Sequence, residues 1–81
     1  STKAGLTGTD VELFATLRTW RLDQSRAAKK PAFVILTDDV LTRLASERPL
    51  TRTQLLDIRG IGPTKADLFG DALLKLIADA P

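Results

Sequence analysis

Between Leu56 and Gly70 the chain reads LDIRGIGPTKADLFG, and these residue types at this spacing suit the capture of a phosphate. Gly60 and Gly62 bracket Ile61, where glycines permit a tight turn with positive φ. Pro63 fits the first position of a helix, which needs no amide donor. A helix starting there would aim its unpaired N–H groups and its positive dipole end at the turn. With Arg59 and Lys65 flanking it, that terminus could hold a phosphate oxygen. The same residues also describe an ordinary packed corner between two helices, since glycine-bearing interhelical turns are common. Asp57, Asp67 and Asp71 crowd the region, and their field would oppose an anion.

A second cluster lies upstream. Arg18, Arg21, Arg26, Lys29 and Lys30 face only Asp23 across the same stretch, and Phe33 follows within a few residues. Cations that track phosphates, beside an aromatic face on which a base can stack, are what single-strand binding requires. The alternatives are a solvated basic helix face, with Phe33 capping the core. Residues 1–30 carry six basic and three acidic side chains, and residues 31–81 carry six and seven, so the net charge of +2 is concentrated at the N-terminal end. Such a local basic surface suggests an anionic partner, nucleic acid first. Arg48 and Arg52, on either side of Pro49, could extend a patch or stand as solvated loop charges.

Catalysis is not expected of this chain. It has no His, Cys or Tyr to serve as nucleophile or general base. No G-x-x-x-x-G-K-[ST] loop is present to hold a triphosphate. The Gly60–Ile61–Gly62 turn lacks the third glycine and the preceding strand of a dinucleotide site. Asp38 and Asp39 are adjacent, and neighbours on a helix point roughly 100° apart, so they converge poorly on one ion. No cofactor and no metal is expected, and any ATPase, unwinding or nuclease activity would belong to other parts of a parent protein.

The elements that must position these groups read as all-α. Thr9 with Glu12 matches a capping box, ahead of a helix from about Asp10 to Ala28. Leu13, Phe14, Leu17 and Trp20, with Ala27 and Ala28, share one side of it, and Arg21 at the border could lay its stem along the core. Pro31 stops that helix. Ala32–Leu36 reads as a short apolar connection; a strand would have no partner to pair with. Thr37 caps a second helix whose first turn holds Asp38 and Asp39 and whose buried side is Val40, Leu41, Leu44 and Ala45. Pro49 closes it. Thr51 with Gln54 repeats the capping box before a short helix, Arg52 to Ile58. Helix then resumes over Pro63–Phe69 and Asp71–Asp79, with Gly70 breaking or kinking the stretch in two. Ala66, Phe69, Ala72, Leu73, Leu76 and Ile77 form its inward face.

Eighty-one residues make one domain, with a modest core that must pack efficiently. Ser1–Gly8 reads as a flexible lead or linker, and 9–79 as the domain. Ser1 in place of an initiator methionine is expected of a domain excised from a longer protein, or of a tag-cleaved product. The absence of Cys fits an intracellular setting, and no apolar run approaches membrane-spanning length.

In this order the features resemble a known family. LFATLRTWR, then PAFVILTDDVLTRLA, then RPLTRTQLLDIRGIGPTKADLFGDALLKLI is similar to the helicase and RNase D C-terminal (HRDC) domain, from Leu13 to Ile77. Pro31, Phe33, Val34, Asp38, Leu41 and Leu44 sit in the register of its PxFVILTDxxLxxLA segment. LLDIRGIGPTKADLFG matches its L-x-x-I-x-G-[IV]-G-x-x-K-x-x-x-[YF]-G pattern. The resemblance implies a compact bundle of about five helices with a helix–hairpin–helix-like corner. It also implies an accessory nucleic-acid-binding module following the motor of RecQ-type or actinobacterial UvrD-like helicases, or the core of an RNase D-type exonuclease. Many members carry an aromatic at the position of Phe33.

The expectation is therefore an accessory domain of a bacterial DNA helicase, a monomer, cytoplasmic and nucleoid-associated. It would bind single-stranded or branched DNA through Arg18, Arg26, Lys29, Lys30 and Phe33, with Arg59, Gly60, Gly62 and Lys65 secondary. The alternatives are a module docking on the parent helicase core or a repair protein, or an RNA-binding domain of an exonuclease.

Overall fold

In the computed structural model, which describes residues 8–80, five helices follow one another: α1 (Gly8–Ala28), α2 (Ala32–Ile35), α3 (Asp38–Glu47), α4 (Arg52–Leu56) and α5 (Pro63–Asp79). No strand occurs among the described residues. At 1.5 Å per residue the 21 residues of α1 span roughly 30 Å. That matches the longest dimension of the molecule, 31 Å, so α1 is the beam against which α2, α3 and α5 pack. Its stripe of Leu13, Phe14 and Leu17 is buried, and Leu36, Leu41, Leu44, Leu55 and Leu73 meet it from the other elements to complete one core. Trp20 is half-buried at the edge, in a T-shaped contact with Phe69 at a centroid distance of 5.4 Å.

Local signals account for most helix ends. Thr37 Oγ1 accepts from the Val40 amide at 3.3 Å, and Thr51 Oγ1 accepts from the Gln54 amide at 3.2 Å. The return arm of the second box goes one residue upstream of the cap: Gln54 Oε1 accepts from the Leu50 amide at 2.8 Å. Val40, Leu41, Leu44 and Ala45 form the buried side of α3 as expected.

Several expectations are corrected. The segment Ala32–Leu36 is not a plain connection: Leu36 N–H donates to the Ala32 carbonyl at 3.2 Å, closing the single turn of α2. Pro31, at φ −58°, is already shaped to lead into it. Gly70 does not break the last helix, because α5 runs unbroken through it. Gly70 is buried there, and a Cβ at that position would come within 3.3 Å of Leu55 Cδ2 on α4. The glycine thus lets α4 and α5 approach rather than separating two helices. The total of five helices agrees with expectation, with α2 gained and the α5 break lost.

Ala72, expected inside, is exposed, as are Ala27 and Ala28 in the last turn of α1. The short helix ends at Leu56, and Asp57 and Ile58 continue as a tighter turn through bonds to Gln54 and Leu55. Of the expected lead, residues 1–7 lie outside the described residues, while Gly8 belongs to α1. Thr9 therefore stands inside the helix, and its side chain, with the capping box assigned to it, lies outside the described residues. No helix among the described residues is long and apolar enough to cross a membrane.

Candidate nucleic-acid interface

The basic cluster is organised by the way α1 ends. Lys29 adopts the left-handed conformation, with φ 55°. Its N–H donates to the Arg26 carbonyl at 3.3 Å, and the Lys30 N–H donates to the Ser25 carbonyl at 3.1 Å. These two bonds make a Schellman C-cap, whose left-handed position is most often glycine. The Ser25 hydroxyl donates back to the Lys30 carbonyl oxygen and ties the turn to the helix. Pro31 then redirects the chain into α2, and Phe33 emerges from that turn 68% exposed. Phe33 therefore does not cap the core. Lys29, Lys30, Arg26 and Arg18 are all exposed as well. Arg18 lines a groove together with Leu22 of α1 and Ala32 of α2, which places it along the same α1–α2 edge.

The hairpin is built by two buried isoleucines. Ile58 and Ile61 anchor it, and the Ile61 N–H donates to the Ile58 carbonyl at 3.1 Å. Only Gly60 takes positive φ, at 101°. Gly62 is extended instead, at φ −94° and ψ −179°, with open space where a Cβ would stand. The expectation of positive φ at both glycines is thus corrected. Gly60 is required for a second reason: a Cβ there would lie 2.5 Å from Val40 Cγ2, so the hairpin backbone rests directly on α3. Pro63 stands at the start of α5 and Gly62 caps it without a side chain. Arg59 is exposed beside the turn.

The structure brings the two candidate surfaces together at one point. Lys65 Nζ lies 3.5 Å from the Val34 carbonyl oxygen, at the outer limit of a hydrogen bond, so the first turn of α5 adjoins α2. Phe33 and Val34 therefore sit between the Lys29–Lys30 turn and Lys65. Of the three aspartates near the hairpin, Asp67 is ion-paired with Arg52 of α4, which offsets its field.

Two other cations are not where loop charges would be. Arg48, at φ 48°, ends α3 and its Nε lies 3.1 Å from Asp10 Oδ1 of α1. Arg52 and Asp67 clamp α4 to α5. Both arginines join helices rather than extending a patch. Arg21 goes further than its border position implied: it is only 8% exposed, and its Nη1 donates to the Leu36 carbonyl oxygen at 3.0 Å and approaches Asp38 Oδ1 at 2.7 Å. The signal was its spacing of four from Leu17 on the apolar stripe. No group of three or more potential metal ligands gathers among the described residues.

The profile of the HRDC domain matches residues 10–77. The chain is 35% identical over 68 residues to the ATP-dependent DNA helicase UvrD2 of Mycobacterium tuberculosis, covering 84% of this chain and 10% of that protein. It is 32% identical over 68 residues to the ATP-dependent DNA helicase RecQ of Pasteurella multocida, covering 84% and 11%. Among solved structures it is similar to the third HRDC domain of Deinococcus radiodurans RecQ, with a TM-score of 0.81 and 28% identity over 84% of this chain and 90% of that one. The chain spans about a tenth of the length of these helicases.

Proposed function

The chain belongs to the HRDC domain family, and from that membership we propose that it is an accessory nucleic-acid-binding domain of a RecQ- or UvrD-type DNA helicase. It holds single-stranded or branched DNA weakly and steers the motor during repair and recombination, in the bacterial cytoplasm at nucleoid DNA. The relatives it matches are bacterial DNA helicases, which favours DNA over RNA as its ligand.

The observation that carries this reading is Phe33. A phenylalanine 68% exposed in a turn flanked by Lys29, Lys30 and Lys65 forgoes the stabilisation that burying it would supply. A stacking base recovers that contact. Base–aromatic stacking contributes about 1–3 kcal/mol and tolerates any base, because every base has a π-face. Phosphates on either side of the stacked base meet Lys29 and Lys30, and Arg26 and Arg18 continue the track along α1. Lys65, Arg59 and the Gly60–Gly62 backbone supply a secondary contact on the far side of α2. Nothing in this set reads a base edge, so binding is without sequence preference.

A ¹⁵N NMR titration with an oligo-dT, at low and then high salt, tests the reading. Shifts confined to Arg18, Arg26, Lys29, Lys30, Phe33 and neighbours, fading as salt rises, are expected. With four cations engaged, log K against log salt should fall with a slope of about −3. Movement of Gly60, Gly62 and Lys65 alone would relocate the contact to the hairpin. If no amide moves at millimolar oligonucleotide, the reading fails, and docking on the parent helicase or a repair protein takes its place.

A further inference from the structure

Beside the Phe33 cluster, an open groove of ≈ 450 Å³ runs between α1 and α2. Phe14 and Ala15 contribute apolar surface to its lining. Val11 and Leu22, which also line it, remain 40% and 45% exposed. The charges in its lining are of one sign: Arg18 and Arg21 are present, and no acidic residue is. Arg18 is exposed. Arg21 is buried, yet both of its contacts, to the Leu36 carbonyl and to Asp38, leave from Nη1. Its Nε and Nη2 donors are the ones left to a ligand, and a guanidinium held in place on one side is a pre-oriented carboxylate receptor.

A nucleic-acid strand uses only half of these features. Its phosphates would meet the arginines, but its bases need a flat aromatic face, and Val11, Ala15 and Leu22 offer none. A peptide that alternates carboxylates with aliphatic or aromatic side chains uses both halves. We propose that this groove docks an acidic segment of a partner protein, with an apolar side chain against Val11, Ala15 and Leu22 and a carboxylate on Arg18 and the remaining donors of Arg21. Arg18 is shared with the DNA track proposed above, whereas Arg21 and the apolar lining belong to the groove alone.

The test is a ¹⁵N NMR titration of the whole chain with the capped peptide Asp-Asp-Leu-Phe-Glu-Asp-Leu, with its equally charged control Asp-Asp-Ser-Ser-Glu-Asp-Ser, and with oligo-dT. The first peptide should move the amides of Val11, Ala15, Leu22 and Ala32, and the serine control should bind at least about tenfold more weakly. Arg18→Glu and Leu22→Ser should each weaken the first peptide by about tenfold while amide dispersion is kept, since both side chains are exposed. Silence at those amides would overturn the proposal. Equal binding of the two peptides would also overturn it, because charge alone would then suffice. Displacement of the peptide from these amides by a tighter-binding oligo-dT would reassign the groove to nucleic acid. Changes confined to Arg18, Arg26, Lys29, Lys30 and Phe33 on adding oligo-dT, with Val11, Ala15 and Leu22 unmoved, would leave the apolar groove to the peptide.

Discussion

Nη1 of Arg21 on α1 lies 2.7 Å from Oδ1 of Asp38 in the first turn of α3. The same nitrogen donates to the Leu36 carbonyl oxygen at 3.0 Å, so one guanidinium joins the middle of α1, the end of α2 and the start of α3. The two acceptors differ in what they lose without it. The Asp38 side chain is 60% exposed and can turn to water, whereas Leu36 is buried and its carbonyl cannot. Arg21→Met keeps most of the stem's packing and leaves that carbonyl unpaired, at a cost of about 1–3 kcal/mol. Asp38→Asn removes only a largely solvated ion pair and should cost about 0–1 kcal/mol. Thermal melts followed by circular dichroism separate the two, at roughly 4–8 °C per kcal/mol for a domain of this size. Equal losses would show that the ion pair, not the carbonyl bond, is the stabilising contact.

Lys29 holds the left-handed position of the α1 C-cap, with φ 55°. A side chain there costs about 1–2 kcal/mol that glycine does not incur. Lys29→Gly should therefore stabilise the domain by about 0.5–1 kcal/mol, seen as a higher urea midpoint at unchanged slope. The same variant should bind oligo-dT more weakly. Stabilisation with unaltered DNA affinity would remove Lys29 from the interface.

The two hairpin glycines should respond unequally to alanine. At Gly60 a Cβ would stand 2.5 Å from the buried Val40 Cγ2, on a backbone at φ 101°. Strain and overpacking together should cost about 2–4 kcal/mol. At Gly62 the backbone is extended and the space is open, so alanine should cost only the weaker capping of α5, about 0.5–1 kcal/mol. Denaturant unfolding of the pair reads this directly, and similar losses at both sites would contradict the geometry.

Phe33→Ala separates stability from binding. The ring is 68% exposed, so the unfolding free energy should change by no more than about 0.5 kcal/mol. Affinity for oligo-dT should fall by about 1–3 kcal/mol, from the lost stacking. The double variant Lys29→Glu, Lys30→Glu should lower affinity further and flatten the salt dependence by roughly one unit of slope or more, measured by fluorescence anisotropy across a salt series. A Phe33→Ala protein that binds as before would show that the ring serves another partner.

Much of this protein is written locally, and so could be read from the chain. Thr37 and Thr51 cap helices because their hydroxyls reach an amide three residues on, and Pro31 and Pro63 sit at helix starts because their fixed φ suits that place. The apolar spacing of Leu13, Phe14 and Leu17, and of Val40, Leu41 and Leu44, selects the buried faces without reference to the rest of the fold. The basic run and Phe33 were visible in the same way, as neighbours along the chain.

What packing alone decided involves partners distant in sequence. Arg48 meets Asp10 across 38 residues and Arg52 meets Asp67 across 15, and these pairings turn apparent loop charges into joints between helices. Gly70 looked like a breaker because intrinsic propensity disfavours it; contact with Leu55 of α4 keeps α5 continuous and makes its missing side chain the useful feature. Gly60 needs no Cβ because Val40 stands against it, while Gly62, identical in type, is extended and open. Lys65 joins the Phe33 surface only because α5 begins beside α2, 31 residues from Val34 in the chain. Caps and periodicity depend on atoms a few residues apart. Ion pairs, close approaches and shared surfaces depend on which helices meet, and that follows from burying one common core.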